Sequence, residues 1–127
     1  MLLVASLIAL LAACDEPLTS ATAPIDQEFV LAPGQSSVVE EVNIRFVGVA
    51  GDSRCPADVV CVWAGDAQVQ IVVTSAGQAK EYELHTMDKN PVAHDGYAIN
   101  LLKVEPYPYS SKKIEPEDYR VTLKVTK

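Results

Sequence analysis

The sequence predicts an all-β domain, a small antiparallel sandwich of about six to seven strands, with a small barrel as the alternative closure. Three observations carry this expectation. Several segments alternate apolar and polar residues with a period of two, as half-buried strands do. Glycine- and proline-containing turn signals separate these segments at short intervals. No stretch presents a helical apolar stripe of useful length.

The elements follow in chain order. A strand is expected near residues 27–31, ended by Pro33-Gly34 within Ala32-Pro33-Gly34-Gln35. In the next, Val42, Ile44 and Phe46 alternate with Glu41, Asn43 and Arg45, and Ala50-Gly51-Asp52-Ser53 reads as a turn. Ala67, Val69, Ile71 and Val73 then alternate with Gln68, Gln70 and Thr74, broken only by Val72. Ser75-Ala76-Gly77-Gln78 reads as a turn into a strand where Tyr82 and Leu84 alternate with Glu81, Glu83 and His85. A longer connection is expected over residues 87–96. Residues 97–104 form another strand, in which Leu101 and Leu102 are adjacent and break the period. Such a clash predicts a bulge or a strand buried on both faces. In the last strand Tyr119, Val121, Leu123 and Val125 alternate with Arg120, Thr122, Lys124 and Thr126. Tyr119 stands where a tyrosine-corner hydrogen bond would form in an immunoglobulin-like sandwich.

The chain has 127 residues, enough for one such domain and not two. Ahead of the domain, residues 1–13 read MLLVASLIALLAA, without a charge. This run is shorter than the roughly 20 apolar residues of a membrane-spanning helix. It fits the apolar core of a secretory signal, although the usual basic residues at its head are missing. Leu11-Ala12-Ala13-Cys14 resembles the lipobox of bacterial lipoproteins, an aliphatic residue and two small ones before a cysteine. The resemblance implies cleavage before Cys14, a thioether-linked lipid on its sulfur and often an acyl chain (commonly palmitate) on the new amine. Two or three chains, at about 0.8 kcal/mol per buried CH₂, make a lasting anchor. In enteric bacteria an Asp placed like Asp15 resembles the signal for inner-membrane retention. Residues 14–26 then read as the lipidated cysteine and a flexible tether, small, polar and proline-containing, and residues 27–127 as a single β domain.

Cysteine arithmetic agrees with that address. The chain has three cysteines, and an odd one in an exported protein needs a role. Assigning Cys14 to lipid leaves Cys55 and Cys61 as a disulfide pair in an oxidising compartment. All charged residues follow Cys14, so the domain carries the whole net charge of -7. That acidity argues against nucleic acid as a partner and against electrostatic adhesion to anionic lipid. Attachment to the membrane is expected through the lipid anchor, on the extracytoplasmic side.

The densest segment runs Ser53-Arg54-Cys55-Pro56-Ala57-Asp58-Val59-Val60-Cys61-Val62-Trp63-Ala64-Gly65. A bridge here closes a tight loop, and the loop-entropy relation gives roughly 2–3 kcal/mol. Cys61 and Trp63 are two apart, so in an extended chain they face one side, and the indole is expected to pack over the disulfide as a lid on the core. R-C-P-x4-C-x-W-A-G, carried by Arg54, Cys55, Pro56, Cys61, Trp63, Ala64 and Gly65, resembles a group of small bacterial lipoproteins and secreted proteins. The later Pro106-Tyr107-Pro108 belongs to the same likeness, which spans Arg54 to the last strand and brings no activity with it.

Three roles compete for the loop: a structural staple, a rigid docking loop for a protein partner, and redox chemistry. In the second, Arg54, Pro56, Asp58, Val59, Val60 and Trp63 form the contact, since a preorganised loop loses little entropy on binding. A protease inhibitor would use such a loop, although no inhibitor motif is present. The third is disfavoured because C-x5-C is not the C-x-x-C of thiol-disulfide catalysts. His85, Met87 and His94 are candidate copper ligands, because thioether and imidazole suit Cu(I). No catalytic motif is visible, neither G-x-S-x-G nor H-E-x-x-H nor a phosphate-cradling glycine loop. The expectation is a non-enzymatic envelope lipoprotein, a binding or structural module, with copper binding and protease inhibition as alternatives.

Overall fold

The computed structural model describes residues 20–88 and 90–127, so Cys14, the lipobox and the signal-like run lie outside the described residues. The strands are β1 (Ser20–Thr22), β2 (Glu28–Leu31), β3 (Ser36–Val39), β4 (Val42–Asp52), β5 (Ala67–Ser75), β6 (Gln78–His85), β7 (Val92–His94), β8 (Tyr97–Glu105) and β9 (Arg120–Thr126). They form a five-stranded sheet in the order β1-β3-β4-β5-β6 and a four-stranded sheet in the order β2-β9-β8-β7. The sheets end in edge strands, which makes the fold an open sandwich and excludes the closed barrel. All neighbours are antiparallel except β1 and β3.

The alternation seen in the sequence builds the core. On β5, Ala67, Val69, Ile71 and Val73 are buried while Gln68 and Gln70 face water. Val42, Ile44 and Phe46 of β4 lie beside them, and Ile99, Val121, Leu123 and Val125 face them from the other sheet. Each of these valine, isoleucine, leucine and phenylalanine side chains contributes roughly 1.5–3 kcal/mol on leaving water. The expected break in β8 is a bulge: the register with β9 shifts between Leu101 and Lys103, and Leu102 turns outward. Ala76 and Gly77 join β5 to β6 with φ of 50° and 75°, and Asp95 and Gly96 join β7 to β8 with φ of 48° and 80°. Both connections are two-residue hairpins whose positive φ values match the twist of their strands.

Four local expectations are corrected. Residues 50–52 are not a turn but the end of β4, which continues through register shifts between Phe46 and Gly48 and between Val49 and Gly51. Residues 20–23 are not the free chain expected within the 14–26 span, because Ser20–Thr22 pairs with β3, Ala23 is buried and its N–H donates to the Val38 carbonyl at 2.9 Å. Residues 87–96 contain β7. Tyr119 makes no tyrosine-corner bond to backbone; its hydroxyl donates to the Asp52 carboxylate at 2.9 Å.

The pairing also fixes a direction. Ser20 lies beside Ser36, Ser36 beside Arg45, and β1 runs parallel to β3. The N-terminal end of β1 therefore points toward the end of the sheet where Asp52 meets Ala67 and the 53–66 loop emerges.

Candidate functional site

The 53–66 loop is held at its base by a short ladder. The Ser53 N–H donates to the Asp66 carbonyl at 2.7 Å, the Asp66 N–H to the Ser53 hydroxyl at 3.0 Å, and the Cys55 N–H to the Ala64 carbonyl at 3.1 Å. Gly65 is required where the two arms meet. Its φ is +70°, and a Cβ there would stand 1.8 Å from the Ser53 carbonyl oxygen. Cys55 and Cys61 form the expected disulfide, with Cα atoms 5.9 Å apart.

Arg54 locks this loop to the opposite sheet. Its Nε and Nη2 donate to the two oxygens of Asp52 at 2.9 and 2.8 Å, a bidentate pair. Nη1 donates to the Val104 carbonyl at 2.8 Å and Nη2 also to the Pro106 carbonyl at 3.0 Å. The Arg54 and Asp52 side chains are 7% and 13% exposed. Burial alone would raise the Asp52 carboxyl, but the hydrogen bonds from Arg54 and Tyr119 outweigh it and hold it below the ordinary carboxylate range. The same arrangement pushes the Tyr119 hydroxyl up to about 12, first by burial and then by its bond to Asp52. A second tie joins the loop to the segment after β8. The Ala57 N–H donates to the Pro108 carbonyl at 2.8 Å, and Asp58 accepts from both the N–H and the hydroxyl of Ser110.

With both flanks tied down, the tip projects into solvent. Val60 is 102% exposed, Val62 92% and Trp63 83%. Trp63 is therefore no lid on the core. The expectation assumed extended chain at Cys61 and Trp63, but residues 61–63 lie outside any strand, where the loop turns back toward β5. Of the residues expected to form a docking loop, Val59, Val60 and Trp63 are exposed, Pro56 is half-buried, and Arg54 and Asp58 are engaged internally. Val62 joins the exposed set, a residue that no motif distinguished.

The candidate copper ligands are not brought together. His85 pairs across from Gln68 at one end of β5, whereas His94 Nε2 sits 2.7 Å from the hydroxyl of Ser75 at the other end. Seven residues of strand put the two imidazoles on the order of 20 Å apart. One ion cannot be shared between them. His85 instead donates through Nδ1 to Asp66 at 2.6 Å, with Glu83 3.0 Å from Nε2. The bond to Asp66 raises the His85 pKa above its ordinary value. Asp66 is held low: burial acts upward, but the bonds from His85, the Met87 N–H and Thr86 prevail. Among the described residues no group of three or more His, Cys, Asp or Glu is gathered for a metal.

A cluster that no sequence motif announced lies around His94. Its Nε2 is 2.7 Å from the Ser75 hydroxyl, its Nδ1 2.8 Å from the Tyr82 hydroxyl, and the Ser75 hydroxyl also donates to Asp95. A serine beside an imidazole invites comparison with a nucleophile and its base, but the proton directions oppose it. An ionised carboxylate only accepts, so the Ser75 proton points to Asp95. The serine oxygen then accepts from Nε2–H, and in the neutral ring Nδ1 takes the Tyr82 proton. The imidazole donates to the serine instead of activating it. Because His94 belongs to one sheet and Ser75 and Tyr82 to the other, this relay clasps the sandwich at its edge. Comparison with family models, with curated proteins and with solved structures found no match for the chain.

Proposed function

We propose that this chain is an envelope lipoprotein, cut before Cys14 and held by lipid on the extracytoplasmic side of a membrane, whose sandwich is a non-enzymatic binding module. The observation that carries the binding role is the contrast within the 53–66 loop. Its base is fixed by the disulfide, the Arg54 clamp and the Asp58–Ser110 bonds, yet Val60, Val62 and Trp63 at its tip stand exposed among the described residues. A loop already held in one conformation gives up little entropy on docking, and exposed aliphatic and indole surface is what docking removes from water. The Cys55–Cys61 bridge supports an oxidising compartment. The Leu11-Ala12-Ala13-Cys14 run supports the anchor.

Two measurements test the proposal. Mass spectrometry of the mature protein is expected to find an N-terminal, lipid-modified Cys14; another N-terminus or a free thiol there overturns the anchor. A photocrosslinking residue at position 60 is expected to give adducts in the intact envelope, whereas one at position 78, at the far end of the sandwich, gives none. Equal yields at both positions remove the loop as the contact surface.

A further inference from the structure

We propose that the occupant of the stapled tip is the bilayer surface itself, so that Val60, Val62 and Trp63 insert into the interface of the membrane carrying the Cys14 lipid. The inference deepens the docking role given above and rests on the lipid anchor. Its first support is the path of the chain. Ser20 lies level with Arg45, which pairs with Val72, while the loop leaves β4 at Asp52, which pairs with Ala67. Five residues of β5 separate those levels, about 17 Å of strand. The N-terminal end of β1 points across this interval, and the six residues from Ser20 back to Cys14 reach at most about 22 Å. A lipid on Cys14 thus lies within reach of the level at which the loop emerges, and a domain held on so short a lead turns this end toward the bilayer.

The chemistry of that end is the second support. The four most exposed large apolar side chains among the described residues are Val60, Val62, Trp63 and Met87, and all four belong to it. Met87 is placed there by its N–H, which donates to Asp66 at 3.1 Å. Tyr107 and Tyr109 are also exposed and line a hollow with Lys112 and Lys113, on the segment that Ala57 and Asp58 hold against the loop. Aliphatic side chains below, indole and phenol at headgroup level and lysine reaching outward is the arrangement favoured at a membrane–water boundary. A convex tip of this kind suits a fluid surface, which needs no shaped pocket to receive Val60. The staple keeps the tip from collapsing onto the sandwich, and the acidic remainder of the domain stays in water.

Trp63 is the chain's single tryptophan, so its fluorescence reports the tip directly. The mature lipidated protein is reconstituted into vesicles of phosphatidylethanolamine with a minor share of phosphatidylglycerol, with and without brominated acyl chains. The expected result is a blue-shifted Trp63 emission that the brominated lipid quenches and that high salt does not reverse. Val60→Asp is expected to abolish the shift and the quenching while the protein still floats with the vesicles. An emission characteristic of water on protein that floats overturns the insertion and leaves the anchor standing. Failure of the wild type to float overturns both. Trp63 that ignores brominated lipid but becomes shielded from iodide in native envelope vesicles overturns the bilayer as occupant and assigns the tip to a protein.

Discussion

Replacing Arg54 with methionine tests the clamp that holds the loop to the sandwich. The substitution keeps an unbranched side chain of related length and removes four N–H donations, two to Asp52 and one each to the Val104 and Pro106 carbonyls. Breaking a buried ion pair from one side costs about 3–5 kcal/mol, because the remaining charge is stranded. Here the Asp52 side chain is 13% exposed and keeps the Tyr119 hydroxyl and the residue 54 N–H, which places the loss near the lower figure, about 3 kcal/mol. Against a domain stability of about 5–15 kcal/mol this is a large share. For a domain near 100 residues it lowers Tm by about 15 °C. The assay is thermal and urea unfolding with the disulfide oxidised, and the diagnostic control is the Asp52→Asn/Arg54→Met double variant. Removing both charges leaves no stranded carboxylate, so the double variant is expected to recover about 1–2 kcal/mol of the loss. A loss under about 1 kcal/mol for Arg54→Met, the size of a surface pair, refutes the reasoning. So does a double variant no more stable than the single one.

Gly65→Ala forces a Cβ onto the Ser53 carbonyl at a φ of +70°, and is expected to cost at least about 3 kcal/mol in urea unfolding. Gly34→Ala, at φ +84° with open space around it, costs only about 1–2 kcal/mol, so the difference isolates the close approach at the loop base. The pH dependence has two arms. Asp52 and Asp66 are held below their ordinary value of 3.8, so their contribution is present above that pH and lost as the solution is acidified through their folded values. His85 is raised above 6.5, so its contribution is complete below pH 6.5 and fades as pH rises through the folded value. NMR titration is expected to find His85 above 6.5 in the wild type and nearer to it in Asp66→Asn.

Period-two alternation located the long strands because burial on one face leaves that signature wherever a strand has enough turns of the pleat. It served for β4, β5, β6, β8 and β9, and adjacent Leu101 and Leu102 marked the bulge. Short strands leave no period to read. Ser20–Thr22 and Val92–His94 are three residues long, and their pairing depends on neighbours that are distant in the chain. Asp95-Gly96 is a strong hairpin signal, but with only three residues of strand before it the turn passed for the end of a loop. The disulfide followed from counting cysteines. The fate of Arg54 and Trp63 did not, since both depend on the loop closing back on itself. The arginine that looked available for a partner spans 50 residues to Val104, and the indole that looked destined for the core was left outside. The Ser75–His94–Tyr82 relay was invisible for the same reason: its members come from three strands in two sheets.

The parallel pairing of β1 with β3 has a mechanical consequence. Under tension applied from the Cys14 side, the load runs along the axis of β1. The pairs Ser20–Ser36, Ala21–Ser37 and Thr22–Val38 are then strained together in shear, and cannot be peeled one after another. A hairpin at the same edge, with the pull applied across its strands, would unzip. In a chain held from that side, β1 would moor the sandwich and pass drag to the interior of a five-stranded sheet.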